Sequence, residues 1–212
     1  MSTWMLTATG HEYHLSGSGL CGNQFDVGAI AHALAQINRF SGHASRPYSV
    51  AEHSLLCADI AERMQLPPIV QYAALMHDAH EAFTGDTSTP AKIAIGPGWT
   101  EFENTHARAL RRFFGLVPTF TSMRNQLRQI DLVALATERR DLMPWNAEIH
   151  DGWPILDTPG KVVPEADWVD LNSARRNAQQ WSEWRDQFME RYHAVRAANA
   201  LWFKENVREQ LP

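Results

Sequence analysis

The stretch LMHDAHEAFTGD, residues 75–86, combines a helix-forming, largely apolar composition with five potentially reactive side chains. Those side chains are His77, Asp78, His80, Glu81 and Asp86. The Ala, Leu, Met and Phe residues between them favour a helix that packs into a core. Such a helix either carries an ordinary polar face, or its ligands converge on a metal ion.

Length and composition indicate one domain of an ordinary globular class. The chain has 212 residues, of which 44% are hydrophobic and 20% are charged, and this length can bury a sizeable core. A net charge of -5 without a Lys/Arg stripe argues against a nucleic-acid polymer as partner, but it permits a small nucleotide. No apolar run approaches the roughly 18 residues of a membrane span, the first residues do not resemble a signal peptide, and two cysteines make no disulfide framework. We therefore expect a cytoplasmic protein that does not enter membranes.

Helical patterns dominate the rest of the chain, so we predict an all-α fold with a small N-terminal β-hairpin and a C-terminal helical arm. The hairpin is predicted around Thr9-Gly10, and Asp26 and Ser49 are predicted helix N-caps. Residues 1–145 form the predicted core, and residues 146–212 form an irregular Pro/Gly-rich segment and the arm of the same domain. The predicted helices cover 27–40, 50–64, 68–83, 99–114, 121–143 and 168–208.

Three of these helices carry residues that can bind a metal ion. His53 lies in YSVAEHSLL, His77 and Asp78 lie in ALMHDAHEAF, and Asp131 lies in QIDLVALATE. Two imidazoles and two carboxylates suit a first-row transition ion, and such an ion activates water near neutral pH. A second His-Asp pair, at residues 150–151, lies in the Pro/Gly-rich segment and has no helix to fix it, so we set it aside.

The ordered set His … His-Asp … Asp resembles the metal site of the HD-domain phosphohydrolases. The segments IAHALAQINRFSGH, LMHDAHEAFTGDTSTPAK and QIDLVALATERRDLMP resemble its 5′-deoxynucleotidase (YfbR-like) branch and small phage-type members, including DatZ-like dATP triphosphohydrolases. The resemblance covers about residues 4–145. It implies an HD-domain helical bundle, one divalent transition metal ion per active site (Co, Mn, Zn, Fe or Ni), Mg²⁺ as an ion that nucleotide phosphates bring, and a homo-oligomer (dimer or hexamer).

The resemblance also implies roles for individual residues. His53, His77, Asp78 and Asp131 are the implied metal ligands. Glu81, which shares a helix face with both ligands of its segment, is the implied acid that orients the attacking water, and Asp86 assists the leaving group or the water. The implied substrate-binding residues are Arg39, Phe40, His43, Arg46, His80 and Lys92.

Each of these residues also has a structural interpretation. Asp86 follows Gly85 and is a common turn residue, Arg39 is suited to a helix C-terminus, and Phe40 is suited to the core. Trp181 and Trp184 lie at helical spacing, which favours burial against the core or a second subunit.

The leading hypothesis is a deoxynucleotide phosphohydrolase in which metal-activated water attacks the α-phosphorus. We favour a triphosphate substrate such as dATP, which yields deoxynucleoside and triphosphate; the alternative is a monophosphate, which yields deoxynucleoside and phosphate. A non-catalytic nucleotide-binding or assembly protein is the alternative of another class. A guanosine tetraphosphate hydrolase is disfavoured because Ala82 stands where that group has a second acid.

Overall fold

The computed structural model describes residues 3–206, and its N-terminal element is the predicted hairpin. Strands β1 (Trp4–Leu6) and β2 (Glu12–His14) pair antiparallel, with Trp4 opposite His14. Gly10 lies in the turn between them with a positive φ of 81°, a conformation that glycine adopts without strain. A 3-10 helix over Ser18–Gly22 follows the hairpin.

The remainder of residues 3–206 is helical or irregular, which confirms the all-α fold class. The helices are α1 (Val27–Leu34), α2 (Val50–Arg63), α3 (Pro68–Leu75), α4 (Glu81–Thr84), α5 (Thr89–Ile95), α6 (Pro97–Phe113), α7 (Val117–Ser122), α8 (Arg124–Leu142), α9 (Pro154–Asp157), α10 (Ala174–Ala178) and α11 (Trp181–Asn206). None of them is both long enough and apolar enough to cross a lipid bilayer.

Helix α2 lies at the centre of the bundle, where it packs against α3, α8 and α11. Ser49 caps it as predicted, because the side chain accepts a hydrogen bond from the backbone N–H of Glu52. Ten of its fourteen residues are buried, His53 among them. Any polar side chain on this helix that faces a neighbour therefore lies inside the protein.

Helix α11 begins thirteen residues later than the helix predicted over 168–208, and it packs against α1, α2 and α3. Trp184, Phe188, Tyr192 and Val195 are the buried residues of its inner face. Trp181 is 41% exposed and does not join them. The apolar spacing thus identified a helix of the core. Gln179, whose backbone is extended, separates this helix from the short helix α10.

Two other predicted helices differ from the structure. The helix predicted over 27–40 ends at Leu34, because the chain turns to form an isolated antiparallel bridge between Asn38 and Ser49. The helix predicted over 68–83 divides into α3 and α4, and a tight turn at residues 76–80 joins them. Successive hydrogen bonds in this turn connect residues three apart, from Ala79 N–H to Met76 O and from Glu81 N–H to Asp78 O.

The hairpin is held to the bundle near this turn. Tyr13 on β2 is fully buried, and its ring stacks on Phe83 of α4 at a centroid distance of 3.8 Å. Its hydroxyl hydrogen-bonds Nδ1 of His106 on α6 at 2.8 Å. The hairpin therefore braces the segment that carries the predicted site residues.

Candidate metal centre

The four predicted metal ligands meet at one point of the bundle. The Nε2 atoms of His53 and His77 are 3.2 Å apart. Oδ2 of Asp78 lies 3.1 Å from Nε2 of His77 and 3.5 Å from Nε2 of His53. Oδ1 of Asp131 lies 3.4 Å from Nε2 of His53 and 3.7 Å from Nε2 of His77. Helix α2, the turn after α3 and helix α8 thus each contribute to the cluster.

Hydrogen bonds fix both imidazoles so that Nε2 faces the cluster. Nδ1 of His53 donates to Oε1 of Glu138 at 2.5 Å, and Nδ1 of His77 donates to the carbonyl oxygen of Ala74 at 2.7 Å. In the neutral imidazole, each Nε2 therefore keeps its lone pair, which is the form in which histidine binds metals. Two such lone pairs 3.2 Å apart repel each other unless a positive charge lies between them.

The distances fit a single ion. With metal–ligand bonds of about 2.1 Å, two ligands lie about 3.4 Å apart at tetrahedral angles and about 3.0 Å apart at octahedral angles. The observed separations between the imidazole nitrogens and the carboxylate oxygens run from 3.1 to 3.7 Å. Two nitrogens and two carboxylate oxygens are the donor set of a divalent first-row transition ion. The residues present therefore fit the predicted metal.

The electrostatics of the cluster favour a cation. Burial alone would lower the pKa of His77, but the Asp78 carboxylate and the other anionic groups nearby raise that pKa well above its usual value. The pKa of Asp78 is held well below its usual range, because the two imidazoles outweigh the effect of burial. An environment that draws protons onto an imidazole draws a metal ion by the same charge.

The cluster opens to solvent on one side. The exposed fraction of the side chain rises from 0% at His53 through 13% at His77 to 44% at Asp131. The open side of the cluster is therefore that of α8, and His53 forms the closed end.

Glu81 and Asp86 follow the predicted metal ligands in the chain and remain close to them. Glu81 is only 2% exposed, and within residues 3–206 its Oε2 atom is buried with no hydrogen-bond partner. Burial and the carboxylates of Asp78 and Asp86 raise the pKa of Glu81 well above its usual value. Gly85, with a φ of 78°, ends α4. Burial also raises the pKa of Asp86, and Arg39 opposes that effect.

Arg39, which is predicted to bind phosphate, lies directly against the cluster. Its guanidinium donates to Oε2 of Glu138 at 3.2 Å and lies 3.6 Å from Oδ2 of Asp78. Burial would lower the pKa of Arg39, but Glu138, Asp86 and Asp78 raise it well above its usual value, so the side chain stays charged. Phe40 adopts a left-handed φ of 56° and packs its ring against the core and beside the Arg39 guanidinium.

Lys92 and His80 meet at Glu103, a residue of α6 that the sequence did not single out. Nζ of Lys92 donates to Oε1 of Glu103 at 2.6 Å, and Nε2 of His80 lies 3.5 Å from the same oxygen. His80, Glu81 and Glu103 also bring ligand atoms within 4.8 Å of one another. The Lys92 ammonium already supplies a positive charge at this second group, so it needs no ion of its own.

The structure corrects the role expected of Arg46. Its guanidinium makes a bidentate pair with Glu52, at 2.8 and 2.7 Å, and its other donors reach the carbonyl oxygens of Pro47 and Leu171. All its N–H groups are thereby engaged within the chain, and none is left for a phosphate. The adjacent His43 is exposed in the same loop.

Two further residues at the cluster carry no local sequence signal. Glu138, fully buried on α8, accepts hydrogen bonds from His53, from the hydroxyl of Tyr48 and from Arg39. Cys57 lies one turn after His53, with Sγ 3.6 Å from the imidazole Nε2. Sγ belongs to a group of ligand atoms within 4.8 Å that includes His77 and Asp131 but not Asp78.

The second His-Asp pair takes no part in the cluster. His150 and Asp151 are both exposed, and Nδ1 of His150 accepts a hydrogen bond from the backbone N–H of Asn146.

Comparison with known proteins finds two uncharacterized relatives. The chain is 38% identical to the protein YfdR of Escherichia coli (strain K12) over 133 residues, which cover 62% of this chain and 67% of YfdR. It is 42% identical to an uncharacterized protein of Rhodobacter capsulatus over 96 residues, which cover 43% of this chain and 48% of that relative. No family model matches the chain.

Proposed function

The chain belongs to the same family as YfdR of Escherichia coli, and for this chain we propose metal-dependent hydrolysis of the 5′-phosphate ester of deoxynucleotides. The observation that carries the proposal is the convergence of His53, His77, Asp78 and Asp131 beside a buried carboxylate, Glu81, whose Oε2 has no hydrogen-bond partner within residues 3–206. This combination suits a catalytic metal site better than a purely structural one, because a structural site needs no unpaired carboxylate beside the ion.

The ion would supply Lewis acidity, which lowers the pKa of water and polarises a phosphoryl oxygen. The protein supplies the proton acceptor. Glu81 lies beside the cluster in a setting where burial and the carboxylates of Asp78 and Asp86 raise its pKa well above the usual value, and a raised pKa makes a carboxylate a stronger proton acceptor. We assign to Glu81 the orientation of the attacking water and the acceptance of its proton.

The cations beside the cluster support an anionic substrate. Arg39 is buried against Asp78, and Lys92 projects from α5 towards Glu103. The transferred phosphoryl group is anionic and gains charge on its oxygens in the transition state, which such cations stabilise. Asp86, whose pKa burial raises, is suited to protonate the departing 5′-oxygen.

Attack at the α-phosphorus breaks the bond to the 5′-oxygen whether one phosphate or three are present. A monophosphate yields deoxynucleoside and phosphate, and a triphosphate yields deoxynucleoside and triphosphate. We favour the triphosphate, on the resemblance of the RFSGH segment to the small phage-type members, and we retain the monophosphate as the alternative.

Two variants separate metal binding from catalysis. We expect His77→Ala to lose the metal and the activity together. Glu81→Gln should keep the metal and lose about 10²- to 10⁴-fold in rate, the usual contribution of a general base. Glu101→Gln neutralises an exposed carboxylate on α6 and serves as the matched control.

The assay measures orthophosphate and triphosphate release from a panel of deoxynucleoside mono- and triphosphates with Co²⁺, Mn²⁺ or Zn²⁺. Release of triphosphate or phosphate that depends on Glu81 supports the proposal. Absence of turnover on the whole panel with all three metals, while metal and nucleotide still bind, would favour the non-catalytic nucleotide-binding protein instead.

A further inference from the structure

Residues 104–130 carry five arginines and no acidic residue, in a chain whose net charge is -5. The arginines are Arg108, Arg111 and Arg112 on α6, and Arg124 and Arg128 on α8. All but Arg111 are exposed. Across the described part of the chain, none of the five forms an ion pair with a carboxylate. One segment therefore concentrates a positive charge that the net charge of the chain conceals.

The positions of these arginines weaken the helices that carry them. Arg108 and Arg112 lie four residues apart on α6, and Arg124 and Arg128 lie four residues apart on α8, so each pair shares a helix face. Like charges at this spacing repel each other and destabilise a helix. Arg124 is also the first residue of α8, where the helix dipole disfavours a cation. Such a charge pattern is suited to an anion that binds from outside the chain.

The arginines of α8 lead to the open side of the candidate metal centre. Asp131 follows Arg124 by seven residues and Arg128 by three, so the three side chains share one face of α8. The side chain of Asp131 is 44% exposed at the mouth of the cluster. Helix α7 packs against both α6 and α8 and connects the two arginine pairs. The guanidinium of Arg111 lies over the ring of Phe120 on α7 at 4.0 Å, which fixes α6 to this helix.

An exposed aromatic ring accompanies the arginines. Phe113 follows Arg112 at the end of α6 and is 57% exposed, and its ring lies against Phe25 and Phe114 at centroid distances of 5.2 and 5.0 Å. A guanidinium binds two phosphate oxygens through parallel hydrogen bonds, and an exposed aromatic ring stacks on an unpaired base. Both contacts are available from a nucleic-acid strand, whereas a duplex has its bases already paired and an acidic protein has no bases.

We propose that a single-stranded nucleic acid binds to the arginine surface, which comprises Arg108, Arg112, Phe113, Arg124 and Arg128. The guanidinium groups contact phosphates of the strand, and the ring stacks on a base. The net charge had argued against a nucleic-acid polymer because no Lys/Arg stripe was evident along the chain. In the folded protein, the two arginine pairs lie on helices that both pack against α7. The inference goes beyond the proposed hydrolysis and does not depend on it.

Fluorescence anisotropy with labelled oligothymidylate and oligouridylate tests the proposal on DNA and on RNA. The probes are about 20 nucleotides long, which exceeds a single-strand site of about 4–16 nucleotides. Contacts from the four exposed arginines predict that the affinity falls by about 50-fold between about 50 and 200 mM salt. If neither strand binds at the lower salt concentration, the proposal is wrong even where nucleotides are hydrolysed. If a strand binds and no nucleotide is hydrolysed, the arginine surface stands and the proposed function fails.

A pair of double variants separates the arginine surface from the overall charge. Arg124→Gln with Arg128→Gln should lower the affinity for oligothymidylate by about 10- to 30-fold at about 0.1 M salt and weaken its salt dependence. Lys161→Gln with Arg175→Gln removes the same two charges from exposed positions outside residues 104–130 and should leave the affinity unchanged. An equal loss in both double variants would show that net charge alone governs binding and would overturn the proposal.

Phe113→Leu tests the recognition of bases, because leucine keeps apolar packing against Phe25 but cannot stack on a base. We expect the affinity for single strands to fall by about 5- to 100-fold, with little change for duplex DNA of the same length. If duplex and single strand bind equally well and Phe113→Leu changes neither, the surface does not read bases and the proposal is refuted. Competition by poly-L-glutamate as strong as that by oligothymidylate would assign the surface to an acidic protein instead.

Discussion

Replacement of Glu138 tests whether a buried carboxylate behind the metal ligands holds the candidate site together. Its side chain is 0% exposed and accepts three hydrogen bonds, from His53 at 2.5 Å, Tyr48 at 2.9 Å and Arg39 at 3.2 Å. In Glu138→Gln the amide oxygen still accepts from the imidazole and the phenol. The charge that balances the Arg39 guanidinium is lost, and Asp78, 3.6 Å away, remains its other carboxylate partner.

The expected magnitude follows from these contacts. Removing one partner of a buried ion pair costs about 3–5 kcal/mol of unfolding free energy. Since Asp78 still faces Arg39, we expect the lower end for Glu138→Gln, about 3 kcal/mol. In a protein of this length that lowers the melting temperature by about 6–12 °C. The weaker hold on His53 should reduce metal affinity by about 10-fold, and by about 100-fold in Glu138→Ala, which removes the acceptor altogether.

Urea denaturation of the metal-free protein measures the unfolding free energy, and competition with a chromophoric chelator measures the metal affinity. Glu190→Gln, which neutralises an exposed carboxylate on α11, is the matched control. If Glu138→Gln and Glu138→Ala both bind the metal as tightly as the unaltered protein, His53 does not depend on Glu138 and the reasoning is refuted.

Two other replacements test the assignments around the cluster. Arg46→Met should lower the unfolding free energy by about 2–3 kcal/mol, because Glu52 loses its bidentate partner and keeps only Arg176. In a steady-state assay, kcat/KM should stay within about twofold of the unaltered protein. A large loss of activity would instead show that Arg46 belongs to the substrate site. Cys57→Ala should keep metal affinity within about threefold, because the predicted ligands are two imidazoles and two carboxylates and do not include the thiol. A thiolate-to-cobalt charge-transfer band in the Co²⁺-loaded unaltered protein, absent from the variant, would show the opposite.

The local features of the fold could be predicted because their causes are local. Asp26 accepts a hydrogen bond from Ala29 N–H, and Ser49 accepts one from Glu52 N–H, as helix caps do wherever the next residues are helical. The turn at Thr9-Gly10 joins the two strands as predicted. The tight turn at residues 76–80, which divides the predicted helix, was not predicted because these residues are of helix-forming types. The turn becomes evident only in the structure, where His77 and Asp78 lie together in the cluster.

The partners of the site residues were beyond local reasoning. Glu138 is 85 residues from His53 in the chain, and ATERRD resembles any charged helix segment. Arg46 and Lys92 are both basic residues in polar surroundings, yet Arg46 forms an ion pair with Glu52 and Lys92 forms one with Glu103. Which carboxylate neutralises which cation depends on helix packing, since ion pairs need contact within a few ångströms.

By itself, the sequence determined the helical class, the hairpin and the caps, because residue type and spacing along one helix act over a few residues. The candidate ligand set lies on three separate segments, and it was predicted from their resemblance to a known family. Only the tertiary structure decided that His53, His77, Asp78 and Asp131 converge, with nitrogen–oxygen separations of 3.1–3.7 Å, and that Glu138 fixes the first of them. These are relations between segments that burial brings together, and burial depends on how the whole chain packs.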